Sequence, residues 1–406
     1  MIRNHLIQRF EHQKLIVGEE GFKQAHLDAL LELNEYHQGQ YFEPISKGIK
    51  FNQFVGVLQV DGLTIEIHPK ADKNEDDSKW KGVLLQMLKE CGHLKANTSG
   101  AAHVKRQNLN LLEVYFELFL GEVNQLLHRG LIKQYRKETG NVKALKGKLE
   151  FAGNIRKNLV HKERFYTTHQ VYDQNHFLHQ VLAKALEIIE QFTRGTRLYD
   201  SCKRTQLDFP NVDSISISSK QLNTFKLNRK SAPYSYAFEL ARLIILNYSP
   251  DISSGREKML SLLFDMNQLW EEYVLIQLRR YIQTNEPNFE ITGQDRKPFW
   301  SSNYLQPDIV LRNKETGEKY IIDTKWKLPE TGSASMADLR QMYAYSRFWE
   351  ADRAMLLYPG EEQGRKFKPF LKEDENHSCK MEFVNVVEKE HLNKELGKQV
   401  FRKIIE

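Results

Sequence analysis

Along Phe54 to Pro69 the chain reads as two extended runs on either side of Asp61-Gly62, and a two-residue Asp-Gly link between such runs predicts a β-hairpin because a type I′ turn needs positive φ at both central positions. In the second run Leu63, Ile65 and Ile67 alternate with Thr64, Glu66 and His68, so one face is expected to be buried and the other wet, and Pro69 ends the strand. The polar stretch Ala71 to Lys79 reads as a loop, after which Trp80, Val83, Leu84, Met87 and Leu88 recur at helical spacing.

A longer helical pattern runs from about Leu109 to His128, with Gly130 placed as a C-terminal cap. Beyond it a hairpin is expected around Thr139-Gly140-Asn141, a short helix near Ile155 and a helix from about Asn175 to Phe192. Between Arg194 and Ser254 the pattern is weak, apart from a helix expected over Tyr236 to Leu246. The turn residues Ser249-Pro250-Asp251 and Ser253-Ser254-Gly255 mark a linker, placing a domain boundary near residue 255.

After the linker the order changes to α-β-β-β-α-β. A helix is expected from about Glu257 to Tyr281, strands near Phe289, over Pro307 to Arg312 and over Tyr320 to Trp326, a helix over Met336 to Trp349, and a strand over Ala354 to Tyr358. The polar loop Asn313 to Glu318 joins the middle strands into a hairpin, and Ser335 with Asp338 three residues on is a capping-box start for the second helix. The chain is thus of the α+β or α/β class: a β-rich region over 1–100, a mostly helical, basic region over 101–255, and a C-terminal domain over 256–406 with a central mixed sheet flanked by helices.

Composition narrows the picture. At 406 residues the chain exceeds what one core usually holds, and 40% hydrophobic with 11% aromatic residues can fill more than one. No apolar run approaches the roughly 18 to 20 residues needed to span a bilayer, so no membrane partner and a cytoplasmic location are expected. Cys91, Cys202 and Cys379 form no Cys-x-x-Cys pair, which argues against structural zinc and a disulfide framework. No phosphate-binding glycine loop is present, so the chain itself should bind no nucleotide. The net charge of +6 is mild, but Arg129 to Arg164 carries eleven Lys or Arg and three Glu, a local balance of 11 − 3 = +8.

The residues that carry chemistry sit on the predicted hairpin. Asp308 follows Pro307 at the start of one strand, while Asp323 and Lys325 close the other. Cross-strand neighbours lie about 5 Å apart, so two carboxylates there can share one divalent ion. Asp323 interrupts the apolar run Tyr320-Ile321-Ile322 just where it should enter the core, a costly placement unless the charge is used. Being two apart on a strand, Asp323 and Lys325 face the same way and Thr324 faces the other. Two acids and an amine suit phosphodiester hydrolysis: hard carboxylate oxygens for magnesium, with the Thr324 carbonyl able to complete its shell, and a lysine to position water or offset charge. The alternative from the residues alone is a turn cap at Asp308 and a surface pair at Asp323 and Lys325.

Pro307-Asp308 with Asp323-Thr324-Lys325 resembles the PD-(D/E)xK nuclease superfamily. The helix containing Leu269-Trp270-Glu271-Glu272-Tyr273-Val274 and the later Gln341-Met342-Tyr343-Ala344-Tyr345 are similar to McrC, the nuclease subunit of McrBC-type restriction systems. Gly56, Ile65 to Lys70, Gly130-Leu131 with Tyr135, and Leu145 to Leu149 extend the likeness into the N-terminal half, leaving Arg194 to Ser254 unmatched. The resemblance implies a restriction-endonuclease-like C-terminal domain cutting modified double-stranded DNA with magnesium, docked on a McrB-like AAA+ GTPase ring, with pairing of two nuclease copies for double-strand cleavage left open. It also implies Glu271 as a further site acid. Helix geometry agrees: at about 100° per residue Glu271 borders the face of Met266, Leu269, Trp270, Tyr273 and Gln277, while Glu272 points nearly opposite. Gln341 and Tyr345, four apart on one helix face, are secondary candidates to steady Lys325 or meet a DNA phosphate. The basic segment would insert into the ring or bind phosphates itself, with the partner favoured. Two other readings stand beside this one: a self-sufficient repair nuclease of the same superfamily, and a non-catalytic adaptor binding DNA or an AAA+ ring.

Overall fold

The computed structural model describes residues 5–60, 63–70, 80, 82–94, 111–249, 259–327, 329, 333–361, 365–370, 377–388 and 391–406. The chain divides into two compact units: one holds Met1–Arg3 with Asn97–Leu262, the other Asn4–Ala96 with Leu263–Glu406. Asn4–Ala96, most of the expected β-rich region, thus share a unit with Leu263–Glu406. The linker expected around residue 255 lies outside the described residues.

The second unit begins with β1 (His5–Phe10), α1 (Gln24–Tyr36), β2 (Phe54–Val60), β3 (Leu63–His68) and α2 (Val83–Glu90), together with a small sheet of Lys14–Ile16, Phe42–Ile45 and Gly48–Phe51. β2 and β3 pair antiparallel with Val60 opposite Leu63, as the hairpin pattern predicts, while the Asp61-Gly62 turn and the Ala71 to Lys79 loop lie outside the described residues. The expected wet face of β3 is not wet. Thr64 and Glu66 are buried, and β1 adds to β3 in parallel so that it is an internal strand, with Gln8 Nε2 donating to Glu66 Oε2 at 2.9 Å.

The other unit contains α3 (Leu111–Arg129), β4 (Gln134–Val142), α4 (Phe151–Asn158), β5 (Phe165–Asp173), α5 (Phe177–Phe192), α6 (Arg197–Asp208) and α7 (Ser235–Leu246). Its helical core buries the apolar stripes of α3, α5 and α7, and Gly130 ends α3 at φ 82° in the left-handed region glycine tolerates. No turn forms at Thr139-Gly140-Asn141. β4 runs straight through them and pairs antiparallel with β5, Thr139 opposite Thr168 and Asn141 opposite Tyr166. A distant partner strand satisfies this backbone, which a local pattern could not reveal. α6 lies in the stretch whose pattern was uninformative.

Strand Met259–Asp265 leads into α8 (Met266–Asn285), where a helix was expected from about Glu257. Asp265 sets the start: its carboxylate accepts the Asn267 N–H at 2.8 Å, and the preceding Leu260 and Leu262 are strand core. Then come β6 (Phe289–Gly293), a hairpin of Lys297–Trp300 and Asn303–Leu305, β7 (Ile309–Asn313), β8 (Lys319–Thr324), α9 (Met336–Trp349), β9 (Arg353–Pro359), β10 (Lys368–Pro369), β11 (Ser378–Val384) and α10 (Leu396–Ile405). The sheet order is β6-β7-β8-β9-β11-β10, with β8-β9 and β9-β11 parallel and the other pairs antiparallel. Val310, Ile321, Ala354 and Leu356 pack beneath Met342, Tyr345 and Trp349 of α9. The alternate residues Ile309, Ile322 and Met355 are fully buried on the side of α8 and α10. This is a mixed sheet with helices on both faces. Ser335 caps α9 as its spacing predicts, its Oγ accepting the Asp338 N–H at 3.0 Å.

Candidate active site

β7 and β8 pair with Ile309 opposite Ile322, so one step further along the hairpin Asp308 comes opposite Asp323. Ile321, Asp323 and Lys325 share the face toward α9, and the apolar strand carries its acid into the sheet: Asp323 is only 2% exposed. Thr324, on the reverse face, holds Asp308 in place. Its N–H donates to Asp308 Oδ2 at 2.6 Å and its hydroxyl donates to the same oxygen at 2.8 Å.

Lys325 Nζ lies 2.7 Å from Asp323 Oδ2 in a close ion pair. A second acid, Asp338 on α9, lies 3.6 Å from the same ammonium, and Lys325 also donates to Gln341 Oε1 at 3.3 Å. Gln341 in turn donates to the Tyr345 hydroxyl at 2.8 Å, and that hydroxyl donates to the Gln306 carbonyl at 2.9 Å. Gln341 and Tyr345 thus form a rail from Lys325 to the segment before Asp308.

Glu271 joins the cluster from α8, accepting the Gln294 side-chain N–H at 2.8 Å, whereas Glu272 turns away to His93 Nε2 at 2.8 Å. Two features place Glu271. Gly293 leaves room for α8, since a Cβ there would come within 2.3 Å of a Leu275 methyl. Gln294 follows at φ 53°, in the left-handed region uncommon for a residue with a side chain, with its N–H donating to the Asp308 carbonyl at 2.9 Å. One residue therefore ties both Asp308 and Glu271.

The electrostatics follow from this crowding. Burial, then the charge of Glu271, raises the Asp308 carboxyl well above the ordinary carboxylate range. Burial, then Asp308, does the same to Asp323. Glu271 is raised too, by burial first. Burial would lower the Lys325 ammonium, but Asp323 and the acids around it hold it above its ordinary value. The site is a set of acids that repel one another, offset by one lysine. Asp308, Asp323 and Glu271 are the side chains that could hold a divalent ion. Among the described residues no three His, Cys, Asp or Glu side chains draw together closely enough to form a metal centre by themselves. Magnesium, however, is usually bound by one or two carboxylates with water and substrate phosphate, and the hard carboxylate oxygens of Asp308 and Asp323 on adjacent strand ends are donors of that kind.

Three neighbours of the site escaped the sequence patterns. Asp338 was legible only as a capping partner. Gln294 lies in an irregular turn. Glu11, more than 300 residues away in sequence, accepts the Trp326 indole N–H at 2.6 Å and the Lys70 N–H at 2.8 Å. Trp326 is wedged between Trp80 and Trp270, with ring centroids 5.9 and 5.6 Å away, so the residues following Lys325 and preceding Glu271 rest on one aromatic stack. No local pattern around Glu11, which follows the mixed strand His5–Phe10, pointed to this.

A mixed sheet with paired acids and a lysine at adjoining strand ends, and a basic segment elsewhere, is matched over residues 49–359 by the family described as McrBC 5-methylcytosine restriction system component. The chain belongs to this family. It is similar to the type IV methyl-directed restriction enzyme EcoKMcrBC of Escherichia coli (strain K12), 20% identical over 240 residues that make up 55% of this chain and 68% of that protein. Its fold is similar to a chain in the refined half-complex from the tetradecameric assembly of Thermococcus gammatolerans McrB AAA+ hexamers with bound McrC: TM-score 0.69, 21% identity, 98% of this chain and 99% of that chain covered. A chain in the cryo-EM structure of the Thermococcus gammatolerans McrBC complex matches with TM-score 0.51 and 22% identity over 68% of this chain and 88% of that one. No helix among the described residues is long and apolar enough to cross a membrane.

Proposed function

We propose that this chain is the magnesium-dependent DNA endonuclease subunit of a McrBC-like, modification-dependent restriction system, with a PD-(D/E)xK centre on Asp308, Asp323, Lys325 and Glu271. The observation that supports it most is the pairing of a buried acid, Asp323, and a half-buried one, Asp308, that repel each other, with a lysine 2.7 Å from Asp323, at the ends of adjacent strands. A pure binder of nucleic acid gains nothing from acids facing a phosphate. Asp308 and Asp323, with Glu271 and the Thr324 carbonyl, would hold magnesium, which when bound lowers the pKa of water and neutralises phosphate charge. Thr324 fixes the Asp308 carboxylate. Lys325, kept charged by Asp323 and Asp338 and aimed by Gln341 and Tyr345, offers its ammonium to the attacking water or to charge developing on the phosphate.

The basic segment supports a ring partner for this chain. Leu145, Phe151, Ile155, Leu159 and Val160 are all well exposed among its lysines and arginines, Phe151 by 73% and Val160 by 84%. Phosphates call for cations but not for exposed apolar side chains, whereas a protein surface covers both. In the solved structure similar to this chain, McrC is bound to McrB AAA+ hexamers. We take the partner here to be a McrB-like AAA+ GTPase.

The test is cleavage of modified and unmodified duplex DNA with magnesium by the wild-type chain and Asp323→Ala, each with and without the AAA+ partner and GTP. Cutting by the wild type only with partner and GTP, and none by the variant, is expected. Cutting by the wild type alone would favour a self-sufficient nuclease, and equal behaviour of the two proteins under every condition would discard the site.

A further inference from the structure

Between Gln294 and Asp308 the chain leaves the main sheet and forms a two-stranded ribbon of its own, Lys297–Trp300 paired with Asn303–Leu305. Both roots of the ribbon are fixed at the candidate site. On the entering side Gln294 donates its backbone N–H to the Asp308 carbonyl and its side-chain N–H to Glu271, and the Asp295 carboxylate accepts the Trp349 indole N–H at 2.6 Å. On the leaving side the Gln306 carbonyl, two residues before Asp308, accepts the Tyr345 hydroxyl at 2.9 Å. The end of α9 pins the first strand: Lys297 Nζ donates to the Phe348 carbonyl at 2.8 Å and lies 4.7 Å from the centre of the Trp349 ring, while Phe299 meets Phe348 edge-on with centroids 5.3 Å apart. The same helix carries Gln341 and Asp338, the neighbours of Lys325.

The tip of the ribbon is not packed in this way. Trp300 is 72% exposed, whereas the other four tryptophans of the chain are buried. Ser301, Ser302 and Asn303, which complete the turn, are exposed with it. Phe299 and Tyr304 are exposed too, so three aromatic rings crowd one small ribbon. Arg296, exposed at the root, lies over the Tyr304 ring with its guanidinium carbon 3.9 Å from the centroid.

Asn303 is five residues from Asp308, at most about 17 Å of chain, and Trp300 is its partner across the ribbon. The backbone at Trp300 is therefore held within about 22 Å of Asp308, or some six base pairs along a duplex. DNA with a phosphate at Asp308 and Asp323 is in reach of the tip. The major groove, about 12 Å wide, admits a two-stranded ribbon, and the minor groove, about 6 Å wide, does not. The side chains suit such an occupant: aromatic faces for bases, serine and asparagine for base edges, and a guanidinium for a phosphate. A second copy of the chain would also cover aromatic rings, but a protein interface sets its apolar residues at the centre and its polar ones at the rim, and here Trp300 sits among the polar residues of the turn. Resting on the nuclease reading above, we propose that the ribbon enters the major groove of the duplex being cut, with Trp300 pressed against bases at its tip and Arg296 on a phosphate at its root. Trp300 is a positioning residue: it sets where the duplex lies, and α9, which pins the ribbon, also carries the partners of Lys325.

Trp300 supplies its own probe, being the one exposed indole of five. A short duplex carrying 5-methylcytosine is added, with calcium in place of magnesium to prevent cutting, to the full chain alone and to its assembly with the AAA+ partner and a non-hydrolysable GTP analogue. Subtracting the tryptophan emission of Trp300→Ala from that of the wild type isolates this one side chain. The duplex should quench the difference signal and shield what remains of it from acrylamide. Trp300→Ala should weaken duplex binding roughly tenfold at an unchanged melting temperature, and Arg296→Ala should flatten the slope of log affinity on log salt by about 0.9. A difference signal that saturating duplex leaves unchanged in both settings overturns the proposal, and a wild-type slope in Arg296→Ala overturns the phosphate assignment. Quenching by the partner, or by a rise in the concentration of the chain itself, without DNA also overturns it and gives the ribbon a protein neighbour. Cleavage with partner, GTP and magnesium is scored in parallel. A wild type that cuts while its Trp300 ignores the duplex would remove the ribbon but leave the nuclease. A wild type whose Trp300 is quenched by the duplex but that never cuts would remove the nuclease and leave a DNA-binding ribbon.

Discussion

The segment Arg129 to Arg164 and the strand ends around Asp308 and Asp323 both concentrate charge, and they do so in opposite ways. In the segment the charge is predominantly positive and solvated, and large apolar side chains are exposed beside it. At the strand ends the charge is buried and mixed, and almost every polar atom is held by a named neighbour: Asp308 by Thr324, Lys325 by Asp323 and Gln341, Glu271 by Gln294. Charge in water costs the fold little and is available to a partner. Charge in the interior costs the fold, and its persistence points to chemistry. The two regions therefore respond to different measurements.

The largest contrast is expected in cleavage. Lys325→Ala should lower the rate of DNA cutting by roughly 10²- to 10³-fold while leaving assembly with the AAA+ partner intact, as read by analytical ultracentrifugation. An equal loss of assembly would mean that the site is structural. The converse experiment places charges on the segment. Phe151→Asp with Ile155→Asp should weaken partner binding about tenfold or more with no change in melting temperature, because both side chains are already exposed. Unchanged binding would return the segment to DNA or to solvent.

Two smaller effects sharpen the cost of burial. Glu11 is 4% exposed, and burial pushes its carboxyl up to about 7 from an ordinary 4.5. An acid raised by folding binds more protons folded than unfolded, so the stability it contributes is complete below its unfolded value and is lost as pH rises through its folded one. Glu11→Gln should therefore gain on the wild type as pH rises from about 4.5 to about 7, by about 2 kcal/mol or some 4–8 °C in melting temperature for a unit of this size. A constant difference across that range would show that the carboxyl is not held neutral. Asp308→Asn should be stabilising at neutral pH by about 1 kcal/mol, since it relieves repulsion from Glu271 and Asp323 but weakens two hydrogen bonds from Thr324. Its gain should shrink toward acid pH, where the wild-type acid is protonated. A loss of stability at pH 7 would mean that the charge of Asp308 is needed by Lys325.

Much of the geometry of the candidate site was legible because it is local. A two-residue spacing on a strand puts Asp323 and Lys325 on one face, a hairpin brings Asp308 opposite Asp323, and the helix angle separates Glu271 from Glu272, whose partner is His93. Register was not legible where the partner strand is distant. Thr139-Gly140-Asn141 has the composition of a turn, yet β5 draws it into a straight strand. Thr64 and Glu66 alternate like an exposed face, yet both are buried in a strand that β1 makes internal to the sheet.

What the sequence by itself determined is the succession α8, β6, β7, β8, α9, β9 apart from the short hairpin before β7, the hairpin with its acids and lysine, the cap at Ser335 and the charge of the basic segment, all set by dihedral periodicity and neighbours within a few residues. Only the tertiary structure decided that Glu11 would support Trp326, that Gln294 would tie Glu271 to Asp308, and that Asp338 would pair with Lys325 as well as cap α9. Those contacts depend on which surfaces the packed core brings together, and a buried polar group must take its partner from whatever part of the chain arrives there.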